Sequence, residues 1–375
     1  MEGLDHLFSK LALWAQPAAP KYTLLRGRTH GGLSRSRVYL YMGSICAALL
    51  ILFGFALFTT TGQSLGSAIG YNHQNNNHDN NTSATERYAY ITWLASSKDV
   101  GEASSQDLYL TATRLLVWQL LHDPETRTTG IDVIVLVGSK VNEADREQLR
   151  TDGAIVREVE LVHGKNDSWI IPKESRWGDI MTKLRVWEME EYSRILFLDD
   201  DTLLQSPLDG IFDDPGARVM ATKTDKGHVS DEHELPTEYL MSSWVEIGSP
   251  HHSWPPTERT RPGYFNGGFF MLKPDKKLFD YFVSLLDTPY SFDPQYMEQN
   301  LLNHAFRWDG PMPWQEINYK WNIKFTTDAD FDGGVVSMHE KYWHTRGGKK
   351  VKEHAIRKLG EMDCYYSARD KLNSS

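Results

Sequence analysis

One apolar run that stops abruptly at three carboxylates constrains this chain more than any other feature: Arg194-Ile-Leu-Phe-Leu-Asp-Asp-Asp-Thr-Leu-Leu204. Ile195 to Leu198 have the length and composition of a strand buried on both faces, so Asp199, Asp200 and Asp201 fall where such a strand leaves its sheet. The carboxyl edge of an open α/β sheet is where ligands bind. Side chains alternate along extended backbone, which lets Asp199 and Asp201 share one cation while Asp200 points elsewhere. Oxygen ligands of this kind suit Mg²⁺ or Mn²⁺, ions that bridge a protein carboxylate to substrate phosphates. Taken alone, the same residues would also serve as an acidic turn capping the next helix.

The rest of the chain narrows the choice. Residues 1–37 carry six Lys or Arg against two acids, whereas the remainder is acidic within a net charge of -10. An acidic body argues against nucleic acid as the partner. Val38 to Phe58 is uncharged and apolar over 21 residues, enough for a helix to cross a bilayer. The six cations ahead of it predict a cytosolic amino terminus. Residues 59–86 are rich in Gly, Ser, Asn and His without apolar periodicity and read as a flexible stem. Sequons at Asn80, Asn81, Asn166 and Asn373 all fall on the expected lumenal side. With only two cysteines, Cys46 in the apolar run and Cys364, no disulfide framework is expected.

From Arg87 to the end, strand and helix patterns alternate. Tyr88–Leu94, Ile131–Gly138 and Ala154–Val162 read as strands. Leu108, Ala112, Leu115 and Gln119 share one helical stripe, and Ile180, Leu184 and Trp187 mark a second helix that leads into the central strand. Strands joined by helical crossovers predict a mainly parallel sheet with helices on both faces. Residues 213–263 read as a long polar loop, of the kind that forms lids and binding loops. Tyr264–Leu272 (YFNGGFFML) restores a buried strand whose paired glycines, Gly267 and Gly268, predict a bulge or a close backbone approach to another group.

Several of these stretches carry a resemblance to glycosyltransferase family 8, the retaining enzymes that include glycogenin. FLDDDTLL is similar to the family's Asp-X-Asp strand, TKLRVW (Thr182–Trp187) to its Thr-Lys-Leu helix, and FNGGFFMLKP (Phe265–Pro274) to its Phe-Asn-small-Gly strand. EQNLLN (Glu298–Asn303) resembles Asp-Gln-X-X-Leu-Asn, and VSMHEKYW (Val336–Trp343) resembles the terminal segment that supplies a histidine and then a lysine. Five matches in the family's order span roughly Tyr88 to Trp343. The resemblance implies a GT-A type, Rossmann-like domain at 87–375, behind a single transmembrane helix and lumenal in the Golgi as a type II membrane protein.

The resemblance also assigns roles. It implies Asp199, Asp201 and His339 as ligands of Mn²⁺ (or Mg²⁺), with a UDP-sugar as donor. Ile91, Thr92, Trp93 and Tyr109 match positions that hold uracil and ribose, although ordinary core packing accounts equally well for Ile91. Asp200 belongs to the same donor-binding group. Lys183 matches a lysine beside the donor sugar and phosphates, where a cation would offset charge on the departing UDP. Asn266, Gly267 and Gly268 would line the sugar, with Gln299 beneath the anomeric carbon. The diphosphate's second cation is Lys341, or instead Arg346 or Lys349, because the His-to-Lys spacing is shorter than the family's.

The implied reaction moves a sugar to a hydroxyl of a glycan, glycoprotein or glycolipid with retained anomeric configuration. Glu298 stands where the family has Asp, one methylene longer. Gln299 is a poor nucleophile and a better stabiliser of an oxocarbenium-like state, which favours same-face attack over a covalent intermediate. Two other classes share parts of the pattern. A non-catalytic nucleotide-sugar or glycan-binding protein would keep the same fold. A metal-dependent phosphoesterase would share the carboxylates, with no use for FNGGFF or EQNLLN.

Overall fold

The computed structural model describes residues 86–95, 103–174, 177–226, 234–256, 263–343 and 348–374. The expected basic tail, the membrane span at 38–58 and the stem up to residue 85 lie outside them. Among the described residues, no helix is long and apolar enough to cross a membrane.

The central sheet follows from apolar runs that are buried on both sides. Strands β1 (Tyr88–Leu94), β2 (Asp132–Val137), β3 (Ile155–Glu158) and β4 (Arg194–Leu198) run parallel in the order β3-β2-β1-β4. Ala89, Ile91, Ile195 and Phe197 face one core, and Tyr90, Leu94, Leu196 and Leu198 face the other. Burying each of the larger of these side chains is worth about 1.5–3 kcal/mol. β3 is shorter than the expected Ala154–Val162, because as an edge strand it pairs only with β2.

Between β4 and the next strand of this sheet come β5 (Thr202–Leu204), β6 (Met220–Ala221), β7 (Glu238–Tyr239) and β8 (Met241–Val245). β9 (Phe265–Leu272) then pairs antiparallel with β4 and with β8, and β10 (Gln315–Glu316) closes the edge parallel to β8. The sheet is therefore mainly parallel, as expected, with β9 reversed at its middle. The expectation of an irregular loop over 213–263 is corrected, since β8 belongs to the main sheet. Its sequence, MSSWV, hides the strand: buried Ser242 donates to Gly216 O at 2.6 Å and buried Ser243 to Phe269 O at 2.6 Å, so polar side chains occupy core positions.

Helices cover both faces: α1 (Ala103–Leu121), α2 (Glu143–Thr151), α3 (Lys276–Asp287), α4 (Met297–Ala305), the short α5 (Asp328–Asp332) and α6 (Lys349–Asn373). The helix expected from Ile180, Leu184 and Trp187 is a 3₁₀ helix over Ile180–Glu188. Met181, Thr182, Lys183, Leu184, Val186 and Trp187 are all buried along it, while Ile180 is only partly buried. The long α6 was not among the helices expected, although Val351, Ala355, Leu359, Met362 and Tyr366 form an apolar stripe that packs into the core. It also docks through groups that look exposed in sequence: Lys358 is buried against Asp123 and Glu125, and the Nε2 of His354 lies 2.8 Å from Leu204 O.

A second sheet, in the order β11 (Asn322–Lys324), β12 (Ser337–His339), β5, meets the first at its carboxyl edge. The turn Asp199–Thr202 joins the two sheets, closed by Thr202 N–H donating to Asp199 O at 3.1 Å. Aspartate favours such turns, and β4 thereby hands the chain directly to β5. β5 has only one strand neighbour, and Gln119 of α1 takes the other side, accepting from Leu204 N–H at 2.7 Å and donating to Thr202 O at 3.3 Å.

Candidate active site

The pairing of β5 with β12 assembles the site. His339 lies opposite Thr202 in the antiparallel register, which sets its ring beside Asp201. One donor atom each from Asp199, Asp201 and His339 falls within 4.8 Å of the other two. His339 Nε2 is 3.1 Å from Asp201 Oδ1 and 3.6 Å from Asp199 Oδ2. The buried Oδ1 of Asp201 accepts no well-formed hydrogen bond, so its lone pairs are unclaimed.

Neighbouring backbone and side chains fix these donors. Asn266 Oδ1 accepts from His339 Nδ1 at 3.1 Å and from Gly268 N–H at 2.9 Å, which leaves the lone pair of a neutral imidazole at Nε2. Gly268 O in turn accepts from Asp199 N–H at 2.8 Å. A Cβ on Gly268 would strike His339 Cε1 and the Asp199 carboxylate, and one on Gly267 would stand 2.9 Å from Gln299 Cβ. The groups approached by the glycine pair are therefore these protein side chains, which accounts for both glycines without a sugar.

Charge is concentrated here. Lys183, on the 3₁₀ helix, is buried and donates to Asp199 Oδ1 at 2.6 Å and to Glu298 Oε1 at 3.0 Å. Burial opposes its charge, but the two carboxylates outweigh that and hold its pKa above the ordinary lysine value. Burial pushes the Glu298 carboxyl up, against the pull of Lys183. Burial and the charges of Asp201 and Asp199 push Asp200 well up. Burial also opposes charge on Asp201 and His339, yet their mutual attraction prevails, lowering the first and raising the second. A divalent cation would relieve this crowding of carboxylates. Two carboxylates, an imidazole with an anchored tautomer and one orphaned buried oxygen thus form a donor set that fits a metal ion.

Most of the expected residues meet. Lys341 Nζ lies 3.6 Å from Asp201 Oδ2, donates to the Tyr109 hydroxyl at 2.9 Å and sits 5.0 Å from the centre of that ring. Lys349 is remote, starting α6 and paired with Glu353 on the surface, and Arg346 lies outside the described residues. Gln299 Oε1 accepts from Gly267 N–H at 2.8 Å, and its amide donates to the Tyr264 hydroxyl at 2.9 Å. Ile91 is not part of this group. It is fully covered inside the core and pairs with Phe197, so core packing alone explains it. Thr92 is buried with its hydroxyl unpartnered, and Trp93, near the tip of β1, is 6 % exposed.

Two charged residues of the site were missed. Buried Glu246 accepts from Asn266 Nδ2 at 2.6 Å and pairs with Lys324, which lies opposite His339 in register. Glu246 follows the strand whose serines obscured it, and Lys324 ends a strand of three residues. A short strand offered no periodicity to read.

Comparison with known proteins accords with this geometry. The family model "Glycosyl transferase family 8" matches residues 108–355. An uncharacterized protein of Schizosaccharomyces pombe is 27% identical over 294 residues, covering 71% of this chain and 75% of that one. Galactinol synthase 4 of Arabidopsis thaliana is 28% identical over 226 residues, covering 60% of this chain and 62% of that one. Mouse xyloside xylosyltransferase 1 superposes with a TM-score of 0.41 at 13% identity, over 68% of this chain and 98% of that one. The match over 108–355 settles the class: the protein is a glycosyltransferase. It belongs to glycosyl transferase family 8.

Proposed function

We propose that the protein is a metal-dependent, retaining glycosyltransferase that takes a sugar from a UDP-sugar and passes it to a hydroxyl of a glycan, glycoprotein or glycolipid. The observation that carries this reading is the meeting of Asp199, Asp201 and His339 beside Lys183 and Gln299 at the end of β4. Asp199, Asp201 and His339 would hold Mn²⁺, since an imidazole beside two carboxylates suits Mn²⁺ better than the all-oxygen shell preferred by Mg²⁺. When bound, the ion neutralises diphosphate charge and makes UDP a better leaving group.

The chain's own residues supply the rest. Lys183 beside Asp199 and Lys341 beside Asp201 bring positive charge to where the leaving group gains negative charge. Glu298 keeps Lys183 charged and aimed, a role in which a carboxylate one methylene longer than aspartate serves. Both ends of the Gln299 amide are already bonded, so it offers a fixed dipole to a developing oxocarbenium ion. That favours attack on the face the diphosphate leaves. Residues 38–58 would anchor the enzyme in the Golgi membrane, with 87–375 lumenal. The test is a panel of UDP-sugars scored for Mn²⁺-stimulated hydrolysis: one donor should turn over, and Asp201→Ala should abolish that turnover. Unchanged turnover in Asp201→Ala would remove the metal site from the reading.

A further inference from the structure

Two large side chains lie almost bare on the surface, Ile171 at 71 % exposed and Tyr290 at 84 %. Tyr290 also holds φ at 62°, in the left-handed region that costs a tyrosine energy, and strain of this kind points to a role other than packing. Its ring lies 5.9 Å from that of Trp169, whose indole N–H donates to Leu286 O at 3.0 Å. Asn166 N–H donates to Asp287 Oδ1 at 3.0 Å. The segment from Asn166 to Ile171 is thereby fastened to the end of α3, and Tyr290 follows just beyond that end.

This segment begins with Asn166-Asp-Ser168, an Asn-X-Ser triplet. Asn166 and Ser168 are both exposed, and the Asn166 side chain makes no capping hydrogen bond to the 3₁₀ turn Asp167–Trp169 that follows it. Of the two sequons within the described residues, this one lies in a surface loop, the setting such acceptors favour, whereas Asn373 is the last residue of helix α6. Trp169, Ile171 and Tyr290 therefore form an apolar patch within reach of a modifiable amide. A sugar offers such rings an apolar C–H face and turns its hydroxyls to water. A lipid surface fits less well, because burying the patch would draw the carboxylates of Asp167 and Asp287 out of water with it.

We propose that Asn166 carries an N-linked glycan whose first sugar lies over Trp169 and Tyr290. In the modifying step Asn166 Nδ2 attacks the anomeric carbon of an oligosaccharide carried on a lipid diphosphate. The N–C bond forms as the C–O bond to the diphosphate breaks, the diphosphate departs with the electron pair, and one Nδ2 proton passes to a base of the transferring enzyme. The assignment rests on the reading of residues 87–375 as lumenal. It is tested on the full chain made in a eukaryotic secretory host, by gel mobility with and without peptide N-glycosidase and by hydroxyl-radical labelling of tyrosines. Asn166→Gln and Ser168→Ala should each lose one glycan-sized step in mobility, and Ser168→Thr should keep it. Labelling of Tyr290 should rise when the glycan is removed, while that of Tyr365, exposed on α6, should not. Unshifted mobility in Asn166→Gln, where Asn80→Gln or Asn81→Gln does lose a step, would overturn the assignment and leave the lumenal reading standing. Absence of a step at every sequon would overturn both. Equal labelling of Tyr290 with and without the glycan, or binding of the unglycosylated chain's patch to neutral phospholipid vesicles that Tyr290→Ser abolishes, would overturn the sugar as the cover of these rings.

Discussion

His339 Nδ1 and Asn266 Oδ1 lie 3.1 Å apart, and the same Asn266 oxygen accepts the N–H of Gly268. This shared acceptor ties the ring on β12 to the backbone of β9, so two sheets jointly set the direction of Nε2. Partners of this type commonly affect metal affinity about 10- to 100-fold. Asn266→Ala should therefore weaken Mn²⁺ binding by roughly that factor with little change in thermal stability, as read by calorimetric titration and melting.

Gly268→Ala makes a harsher demand. Its methyl group would occupy space held by His339 Cε1 and the Asp199 carboxylate, so one of the two must move. Overpacking of this kind costs about 1–3 kcal/mol. The variant should fold with a lowered melting temperature and bind no Mn²⁺, whereas Gly360→Ala, with open space around that glycine, should retain full affinity.

Lys183 is the only cation within hydrogen-bond reach of Glu298 among the described residues. Removing it leaves buried Glu298 without a cation in reach and Asp199 with only the His339 ring nearby. Lys183→Met should lose about 3–5 kcal/mol of stability. Adding Glu298→Gln removes one of the stranded charges, so the double variant should regain part of that loss without regaining transfer activity. Denaturant melts of the single and double variants supply the comparison.

A second buried pair predicts a pH dependence away from the metal site. The Nε2 of His252 is 2.9 Å from Asp330 Oδ2 and its Nδ1 is 2.9 Å from Ser249 O, so both nitrogens face acceptors and the doubly protonated ring is favoured. The hydrogen bond it donates to the Asp330 carboxylate raises its pKa, against the opposing effect of burial. Because the folded value lies above the unfolded one, this stabilisation is complete below pH of about 6.5 and is lost as pH rises through the folded pKa. The melting temperature difference between the native chain and His252→Asn should be largest near pH 5.5 and shrink toward alkaline pH. A difference that is constant with pH would contradict the assignment.

What the sequence revealed, and what it hid, follows from how each part is stabilised. β1, β2, β4 and β9 were legible because burial on both faces demands unbroken apolar runs, and Asp199 and Asp201 were legible because they interrupt such a run. β8 and Glu246 were hidden because polar side chains there are satisfied by tertiary partners, as with Ser243 on Phe269 O, whereas the apolar stripe of α6, from Val351 to Tyr366, was legible and passed over. His339 was found through its motif and not its pattern: three residues of β12 carry no period, and only pairing with β5 brings the ring to Asp201. The 3₁₀ form of Ile180–Glu188 went unread because repeats of three and of 3.6 diverge little over so short a stretch.

The central claim is that the carboxylates ending β4 and the imidazole ending β12 grip one divalent ion, and through it a nucleotide diphosphate. Crystals grown with Mn²⁺ and UDP test it most directly, through anomalous scattering from manganese. The account predicts a single strong peak ligated by Asp199, Asp201 and His339, with the UDP phosphates completing its shell. Ordered UDP with no manganese at those three side chains, or manganese bound elsewhere, would contradict it.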